Sequence, residues 1–390
     1  MGVPGALRGL PLIDDLGDLS GRRVLVRVDF NVPLEEGPDG APVVADDFRI
    51  RSAIPTLELL RSRGAEIVCC SHLGRPKGKP DPRYAMGPVR ERLEELFPDA
   101  SLLENLRFDP GEETNDPAFV DRLVEGFDAY VNDAFGASHR SHASVVGPPE
   151  RLPSAAGPLL AHEVEVLGGL LGSPARPFVA ILGGAKVADK IGVVASIARS
   201  ADTVIIGGGM AYTFLAAQGR RIGTSLFDGS RVEECAALLE ANAHIVVTQD
   251  VVALEPGHPI GPGRTEGEVR VFDGDLPEDW EGLDIGPETR QRFAGLIADA
   301  ATVLWNGPMG FFEDERFSKG TEAVARAITS SDAFSVVGGG DSALALERLG
   351  LAGAVSFMST GGGASLELLE FGDLPALAAL RAAVNAPRGA

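Results

Sequence analysis

The chain has 390 residues, of which 44% are hydrophobic and 23% charged, and its formal net charge at pH 7 is -21. The length is too great for one ordinary domain, and the composition is that of a globular protein rather than a disordered chain or a coiled coil. The strong negative charge opposes binding to nucleic acid or to an anionic membrane surface, because a phosphate backbone needs a basic face. A polyanionic ligand must therefore bind in a local basic pocket.

The cysteines and the N-terminal residues bear on the cellular compartment. Three cysteines cannot build a disulfide framework, and Cys69 and Cys70 are adjacent in an apolar run, which favours a reducing environment. Residues 1–19 lack the basic segment and apolar core of a signal peptide, and no apolar run approaches the ~18 residues of a membrane span. We expect a cytoplasmic protein without a membrane partner.

From Arg22 onward the sequence repeats a short β-branched run, a glycine-rich or polar turn and an amphipathic stretch, which is typical of a parallel sheet. In the first half the predicted strands are 24–28, 67–70 and 129–131. Several prolines follow, and apolar positions at helical spacing then predict a connecting helix over 160–171. In the second half the predicted strands are 178–182, 204–206, 244–248, 303–305, 334–337 and 355–358.

This pattern predicts an α/β protein with two Rossmann-like parallel-sheet domains joined by a helix and a hinge. The predicted N-terminal domain is 1–158, the connecting helix is 159–173 and the C-terminal domain is 174–374. The alanine-rich tail, 375–390, could pack on either domain, including back on the first. We expect the acidic segment 255–288, which is rich in proline and glycine, to be a surface loop without chemistry.

Three triple glycines, at 207–209, 338–340 and 361–363, each follow a strand-like run and precede a helix-like one. Such turns place backbone N–H groups and a helix N-terminus at the carboxyl edge of a sheet, where anions are stabilised. One triple glycine alone is more often only a tight turn, but three in register favour a polyphosphate ligand. The chain lacks both the P-loop sequence and the third glycine of a dinucleotide fingerprint, so nucleotide binding must use another geometry.

Two of the few lysines, Lys186 and Lys190, follow the strand run 178–182. We expect them on one face of the first turn of a helix. Two ammonium groups in that position repel each other and oppose the helix dipole. An anion bound between them would remove both costs, and the alternative is a solvated turn in which Asp189 neutralises one lysine.

Basic and imidazole side chains recur in the turns after the strands of the first half. If they meet at one sheet edge, they form a cationic site suited to a small phosphorylated acid, because arginine binds carboxylate and phosphate in a bidentate way. Singly, each arginine is more often an ordinary surface charge. The histidines lack the further ligands of a zinc site. The members of this basic cluster are Arg49, His72, Arg75, Arg107, His139, Arg140 and His142.

Two acidic residues of the second half are further candidates. Asp341 follows the second triple glycine and is placed to hold Mg²⁺ against nucleotide phosphates through oxygen ligands, although a helix N-cap is an alternative role. Glu313 follows the run 305–312 and could accept hydrogen bonds from a ribose.

The order of six motifs resembles that of the phosphoglycerate kinase family, over about residues 22–369. The motifs are RVDFNVP (27–33), SHLGRP (71–76), ENLRF (104–108), GGAKVADK (183–190), WNGP (305–308) and GGGD (338–341). Between Arg75 and Glu104 the chain is shorter than the family pattern by roughly one strand and one helix. We therefore expect one strand fewer in the N-terminal sheet.

The resemblance implies a reversible, Mg²⁺-dependent glycolytic phosphoryl transfer between 1,3-bisphosphoglycerate with ADP and 3-phosphoglycerate with ATP. It also implies domain closure without a general base, and such a hinged clamp favours a monomer. The N-terminal domain would bind 3-phosphoglycerate through Asp29, Phe30, Asn31, Arg49, His72, Leu73, Gly74, Arg75, Arg107 and Arg140. The C-terminal domain would bind ATP through Lys190, Gly208, Gly209, Glu313, Gly339, Gly340, Asp341 and Ser342, with Asp341 as metal ligand. Arg49 and Lys186 would be catalytic, and Gly361 and Gly362 would contact the phosphate after closure.

Two other functions fit the sequence less well. An NAD-linked dehydrogenase needs a complete glycine fingerprint and an acidic ribose partner about 20 residues beyond it, and neither is present. A catalytically silent scaffold would have no reason to keep the like charges of Lys186 and Lys190 together.

Overall fold

The structure, a computed structural model, describes residues 8–385. Residues 1–7, part of the N-terminal segment 1–19, and residues 386–390 of the alanine-rich tail lie outside the described residues. The chain divides into two compact units. One contains the residues up to Gly168 and those from Gly372 onward, and the other is Gly169–Phe371.

The first unit contains alternating strands and helices, as the βα pattern predicts. Its strands are β1 (Arg23–Arg27), β2 (Leu34–Glu36), β3 (Pro42–Val44), β4 (Glu66–Cys70), β5 (Ala100–Leu102), β6 (Ala129–Asn132) and β7 (Ser154–Ala156). Its helices are α1 (Phe48–Ser62), α2 (Gly87–Leu96), α3 (Pro110–Thr114), α4 (Pro117–Val124), α5 (Ala143–Val146) and α6 (Pro158–Gly172). The division between the two units falls within α6.

A parallel sheet in the order β5-β4-β1-β6-β7 forms the centre of the first unit, and β2 and β3 form a separate antiparallel hairpin. The apolar residues of β1 and β4 are buried on both faces of the sheet, as is usual when helices cover a parallel sheet on both sides. Val24, Val26, Ile67 and Cys69 pack in one core with residues of α1 and α2.

The second unit repeats this construction and adds a small antiparallel sheet. Its strands are β8 (Phe178–Leu182), β9 (Thr203–Ile206), β10 (Ile245–Val247), β11 (Asp250–Leu254), β12 (Val269–Asp273), β13 (Glu281–Ile285), β14 (Thr302–Asn306), β15 (Phe334–Gly338) and β16 (Phe357–Met358). Its helices are α7 (Ile191–Ile197), α8 (Ala211–Ala217), α9 (Val232–Ala241), α10 (Pro287–Ala298), α11 (Lys319–Thr329), α12 (Gly340–Arg348) and α13 (Gly362–Phe371).

The parallel sheet of the second unit has the order β10-β9-β8-β14-β15-β16, and the antiparallel sheet has the order β12-β11-β13. Trp305 of β14 is fully buried and packs in the core with residues of β8, α10 and α11. The last helix, α14 (Pro375–Asn385), belongs to the first unit, where it packs against α5 and β7.

The α/β fold with two parallel sheets confirms the predicted class, and each predicted strand run overlaps an observed strand of the two sheets. The expectation that 255–288 is a surface loop was wrong for two parts of it, because β12 and β13 lie in this segment and pair with β11. The segment 76–103 contributes α2 and the edge strand β5. Within residues 8–385, every helix is too short or too polar to cross a bilayer.

Candidate active-site residues

Members of the basic cluster meet at the carboxyl edge of the first sheet. The strand order reverses between β1 and β6, and ligands of open α/β sheets bind at such a reversal. Arg49, Arg107 and His142 lie close enough to His72 to act on its charge, and Arg140 acts in the same way on His142. The fold therefore assembles one group from turns that are far apart in the sequence.

Arg49 of α1 is held by the turn that follows β1. Its Nη1 lies 3.0 Å from Oδ2 of Asp29 and 3.3 Å from the carbonyl oxygen of Asn31, to which it donates. The Asn31 side chain in turn accepts a 2.9 Å hydrogen bond from the Gly74 N–H. Because about a third of the Arg49 side chain (32%) stays exposed, its guanidinium is fixed in place and still accessible to a ligand.

Arg107, in the turn after β5, is crowded by like charges. Its Nη1 donates to the Gly74 carbonyl oxygen at 2.8 Å, and its Nε lies 3.4 Å from Oε1 of Glu113. Burial lowers the pKa of its guanidinium, and Arg27 and Arg140 lower it further against the opposing effect of nearby carboxylates. A bound anion would relieve this repulsion, which is the electrostatic signature of an anion site.

The histidines do not add positive charge to the basic cluster at neutral pH, contrary to the expectation of a fully cationic site. Burial lowers the pKa of His139 and of His142 to about 4, and neighbouring arginines reinforce the effect. Burial and Arg27 likewise lower the pKa of His72 well below its ordinary value. The positive charge of the cluster therefore comes from its arginines.

The other residues that the family resemblance assigns to phosphoglycerate differ in which of their groups a ligand could reach. The side chains of Phe30 and Leu73 are buried in the core of the first unit, so only their backbone groups could meet a ligand. Arg75 and Arg140 are exposed in the turns that follow β4 and β6. Sequence reasoning missed Arg27, which is 1% exposed at the end of β1. A charged residue at the end of an apolar strand run was the signal available for it.

In the second unit the glycine and lysine turns gather where the strand order reverses between β8 and β14. Gly208 has φ of 67°, and a Cβ on it would lie 2.6 Å from both the Gly184 nitrogen and the Pro308 carbonyl oxygen. Only glycine fits there. Its N–H donates to the Met309 carbonyl oxygen at 3.1 Å. Gly208 therefore joins neighbouring loops. Contrary to the expectation for a triple glycine, its N–H does not face an anion site.

The prediction that Lys186 and Lys190 share a helical turn was wrong, because α7 begins only at Ile191. Lys186 is exposed in the preceding loop. Lys190 instead points inward, and its Nζ donates to the Gly183 carbonyl oxygen and to Oδ1 of Asn306, both at 2.7 Å. Burial lowers the pKa of Lys190 to about 8, against the opposing effect of Asp341 and Asp189. The acceptor oxygens hold Lys190 without an anion.

Asn306 is a second residue whose part sequence reasoning missed, although it lies in the WNGP motif. It accepts from Lys190 and its amide nitrogen lies beside Gly338 and Gly339. Its position at the end of a buried strand, directly before Gly307, was the signal available. Asn306 thus connects the lysine loop to the second triple glycine.

The second and third triple glycines lie together at the starts of α12 and α13. A Cβ on Gly362 would lie 3.0 Å from Cα of Gly339. Gly339 precedes α12 with φ of 92° as its N-cap residue, so the alternative role of Asp341 as N-cap is wrong. Gly340, Asp341 and Ser342 form the first turn of α12, whose N–H groups have no partner within the helix and favour an anion. The Ser342 hydroxyl oxygen accepts from the Gly307 N–H at 2.7 Å.

Asp341 is the residue that fits a magnesium ion. Among residues 8–385 no cluster of three or more histidine, cysteine or acidic side chains is placed to hold a metal. Mg²⁺ in nucleotide enzymes usually takes one or two carboxylates and completes its shell with phosphate oxygens and water. Asp341 supplies one exposed carboxylate in the first turn of α12, which agrees with that mode of binding.

Glu313 lies in the loop that follows β14. It lines a cavity of about 480 Å³ together with Phe312, Thr321 and Arg348. Asp284 of β13 is buried behind this loop, where a Cβ on Gly310 would lie 2.3 Å from its Oδ1. Its Oδ2 accepts from the Gly320 N–H at 2.7 Å, so Asp284 secures the loop and the start of α11. No local sequence pattern indicates this role.

We expect the buried carboxyl of Asp284 to make the free energy of unfolding depend on pH. Burial raises the pKa of its carboxyl to about 7 from the ordinary 3.8, so the folded protein binds this proton more tightly than the unfolded chain. Between about pH 4 and pH 7 its contribution to the free energy of unfolding therefore falls as the pH rises. Asp284→Asn removes this loss, which is up to about 4 kcal/mol.

Urea unfolding of both proteins at pH 4.5 and pH 7.5 measures the effect. We expect the free energy of unfolding of Asp284→Asn, relative to that of the unmodified chain, to rise between the two pH values. A difference that does not change with pH would show that Asp284 does not titrate in this range.

Comparisons with known proteins identify the family. The sequence profile of the family described as phosphoglycerate kinase matches residues 13–371. The phosphoglycerate kinase of Rubrobacter xylanophilus is 51% identical over 387 residues, covering 93% of this chain and 96% of the relative. That of Salinispora tropica is 49% identical over 400 residues, covering 94% and 98%.

A solved structure of phosphoglycerate kinase from Coxiella burnetii superposes with a TM-score of 0.84 at 35% identity, and the match covers 95% of this chain and 98% of that one. Sequence and fold thus agree over nearly the whole chain. The chain belongs to the phosphoglycerate kinase family and is a kinase, an enzyme that transfers phosphoryl groups.

Proposed function

We propose that this chain catalyses the reversible transfer of a phosphoryl group between 1,3-bisphosphoglycerate with ADP and 3-phosphoglycerate with ATP, a step of glycolysis. The observation that supports it most is geometric: at the edge of the first sheet Arg49 is held by Asp29 and Arg107 by the Gly74 carbonyl oxygen, with Arg140 exposed nearby. Because the net charge of the protein is strongly negative, a local group of arginines favours a small polyanionic ligand at this site. The relatives named above carry the same activity in their names.

The first unit is assigned to 3-phosphoglycerate. Arg49 and Arg107 are placed to bind its phosphate or carboxylate, because a guanidinium donates two parallel hydrogen bonds to either group. Arg75 and Arg140 are exposed at the same sheet edge and add positive charge. Asp29 and Asn31 orient Arg49 and the Gly74 turn, while His72 contributes as a neutral donor. Phe30 and Leu73 take part through their backbone.

The second unit is assigned to the nucleotide and its magnesium ion. The first turn of α12, with Gly340 and Ser342, faces the phosphates with its N–H groups, and Asp341 would hold Mg²⁺. The bound ion supplies positive charge against the phosphate oxygens. Glu313 lines the cavity next to the loop after β14 and accepts from the ribose. The remaining residues assigned to this site are Lys190, Gly209 and Gly339, with Gly361 and Gly362 reaching the phosphate on closure. Gly208 serves the site by joining neighbouring loops and not through its N–H.

The reaction needs no general base. The nucleophile is the carboxylate of 3-phosphoglycerate, which is already ionised at neutral pH because an ordinary carboxyl has a pKa of ~4. Its oxygen forms a bond to the γ-phosphorus while the bond to the bridging oxygen of ADP breaks, and ADP leaves with that electron pair. The chain must place two anions in line and neutralise their repulsion, and Lys186 and Arg49 are assigned this task.

Closure of the two units around both substrates is part of the proposal. A poised phosphoryl group would be hydrolysed in open water, so a site completed only after both ligands bind protects the reaction. We place the protein in the cytoplasm, because its buried cysteines are free thiols, as is usual in a reducing compartment. We expect a monomer, because a hinged clamp needs no partner subunit.

The test is a coupled assay that follows ADP formation from ATP. We expect turnover only when 3-phosphoglycerate and Mg²⁺ are both present, and its loss on addition of a chelator. ADP formation that is independent of 3-phosphoglycerate, or no turnover in either direction, would contradict the proposal. A reaction with NAD instead would favour the dehydrogenase alternative.

A further inference from the structure

Arg27 is assigned no contact with a substrate above, and its environment is unusual. The side chain is 1% exposed, although a buried guanidinium needs partners for its N–H groups. Its Nε donates to the Ser144 hydroxyl oxygen at 2.9 Å, and its Nη1 donates to the Val28 carbonyl oxygen. Its Nη2 lies 3.1 Å from Nδ1 of His72.

A buried carboxylate balances this charge through Ser144. The Ser144 hydroxyl donates to Oε1 of Glu112 at 2.7 Å, and the Ser144 N–H donates to Oε2 at 2.9 Å. Glu112 is completely buried. Hydrogen bonds thus run continuously from Arg27 through Ser144 to Glu112, and they hold the guanidinium in place beside His72.

The contact with His72 determines where the imidazole proton lies. A guanidinium has only donors, so Nδ1 of His72 must be the acceptor and cannot carry a proton. In a neutral ring the proton then lies on Nε2. Burial and the neighbouring charges also disfavour a second proton on the ring. The groups that face His72 are Arg27 of β1, Arg49 of α1, Arg107 in the turn after β5 and His142 in the turn before α5.

We infer that Arg27 is a positioning residue for the phosphoglycerate site, which it serves by fixing His72 as a neutral imidazole that donates from Nε2. This inference rests on the proposed function. It gives the site a hydrogen-bond donor whose strength does not change between pH 6 and pH 8. Without Arg27, the ring exchanges its proton between both nitrogens, and Nε2 is an acceptor part of the time.

The direct test is nuclear magnetic resonance of the full chain labelled with ¹⁵N, with the His72 signals identified by their loss in His72→Asn. Long-range ¹H–¹⁵N spectra distinguish protonated from unprotonated ring nitrogens. We expect an unprotonated Nδ1, a protonated Nε2 and no titration from pH 5 to pH 8. A proton on Nδ1, or titration of His72 within this range, would overturn the inference. This measurement needs no change at Arg27.

The second test is the charge-balanced double variant Arg27→Met with Glu112→Gln. We expect the His72 ring proton to exchange between Nδ1 and Nε2 in this variant and the KM for 3-phosphoglycerate to rise severalfold. The KM for ATP should stay unchanged. A folded double variant whose His72 proton still lies on Nε2 alone would overturn the role of Arg27.

The outcomes separate this inference from the proposed function. If the unmodified chain shows the expected His72 spectrum but no activity with 3-phosphoglycerate, the proposed function fails and the assignment of the ring proton stands. If the activity is present and the spectrum is not as expected, the positioning role alone fails.

Discussion

Lys186→Ala should lower kcat by about a hundredfold or more while leaving the KM for ATP nearly unchanged. Lys186 is the exposed lysine of the loop after β8, whereas Lys190 is held by carbonyl oxygens. A cation that meets the phosphoryl group mainly during transfer stabilises the transition state more than the bound substrate. Removing one such group costs about 3 kcal/mol. Steady-state kinetics with each substrate varied in turn measures both constants.

Lys319→Ala is the matched control, because Lys319 is also an exposed lysine of the second unit and pairs only weakly with Glu322 at 3.5 Å. Its kcat should match that of the unmodified chain. If kcat of Lys186→Ala stays within tenfold of the unmodified value, Lys186 is not the residue that holds the transferred group.

Arg107→Ala should weaken the binding of 3-phosphoglycerate by roughly 30-fold, or about 2 kcal/mol, with little change in ATP binding. The side chain is mostly buried (12% exposed) and held by Gly74, so its guanidinium meets the ligand with little loss of conformational entropy. The repulsion from Arg27 and Arg140 is relieved when an anion binds. Calorimetric titration of each ligand separately measures both affinities.

Arg61→Ala is the control for this experiment. Arg61 is half exposed in the same unit and pairs with the exposed Asp99 at 3.0 Å, so its loss should leave both affinities unchanged. Loss of ATP binding in Arg107→Ala would mean that the two ligands are assigned to the wrong units.

The fold class could be predicted from the sequence alone, and so could the strands that consist of apolar runs. Strands such as Phe178–Leu182 and Thr302–Asn306 are buried on both faces, so their composition alone is distinctive. Two of the strands that sequence reasoning missed are different. Ala100–Leu102 and Ser154–Ala156 are three residues long and poor in β-branched residues, and pairing with neighbours determines them.

Within the candidate site, residue types could be predicted and their states could not. The motifs placed Arg107 and Asp341 shortly after strands, where the structure has them. The neutral state of His72 depends on burial and on the neighbouring Arg27, and the inward orientation of Lys190 is accompanied by its hydrogen bond to Asn306. These pairs are 45 and 116 residues apart in the chain, so no local pattern could show them.

The most direct test is a crystal structure of the chain with 3-phosphoglycerate, ADP, Mg²⁺ and a planar fluoride mimic of the transferred phosphoryl group. The account predicts that Nζ of Lys186 and the guanidinium of Arg49 both lie within hydrogen-bond distance of that mimic, at about 2.7–3.1 Å. A structure with both substrates bound in which either side chain is directed away from the mimic would contradict it.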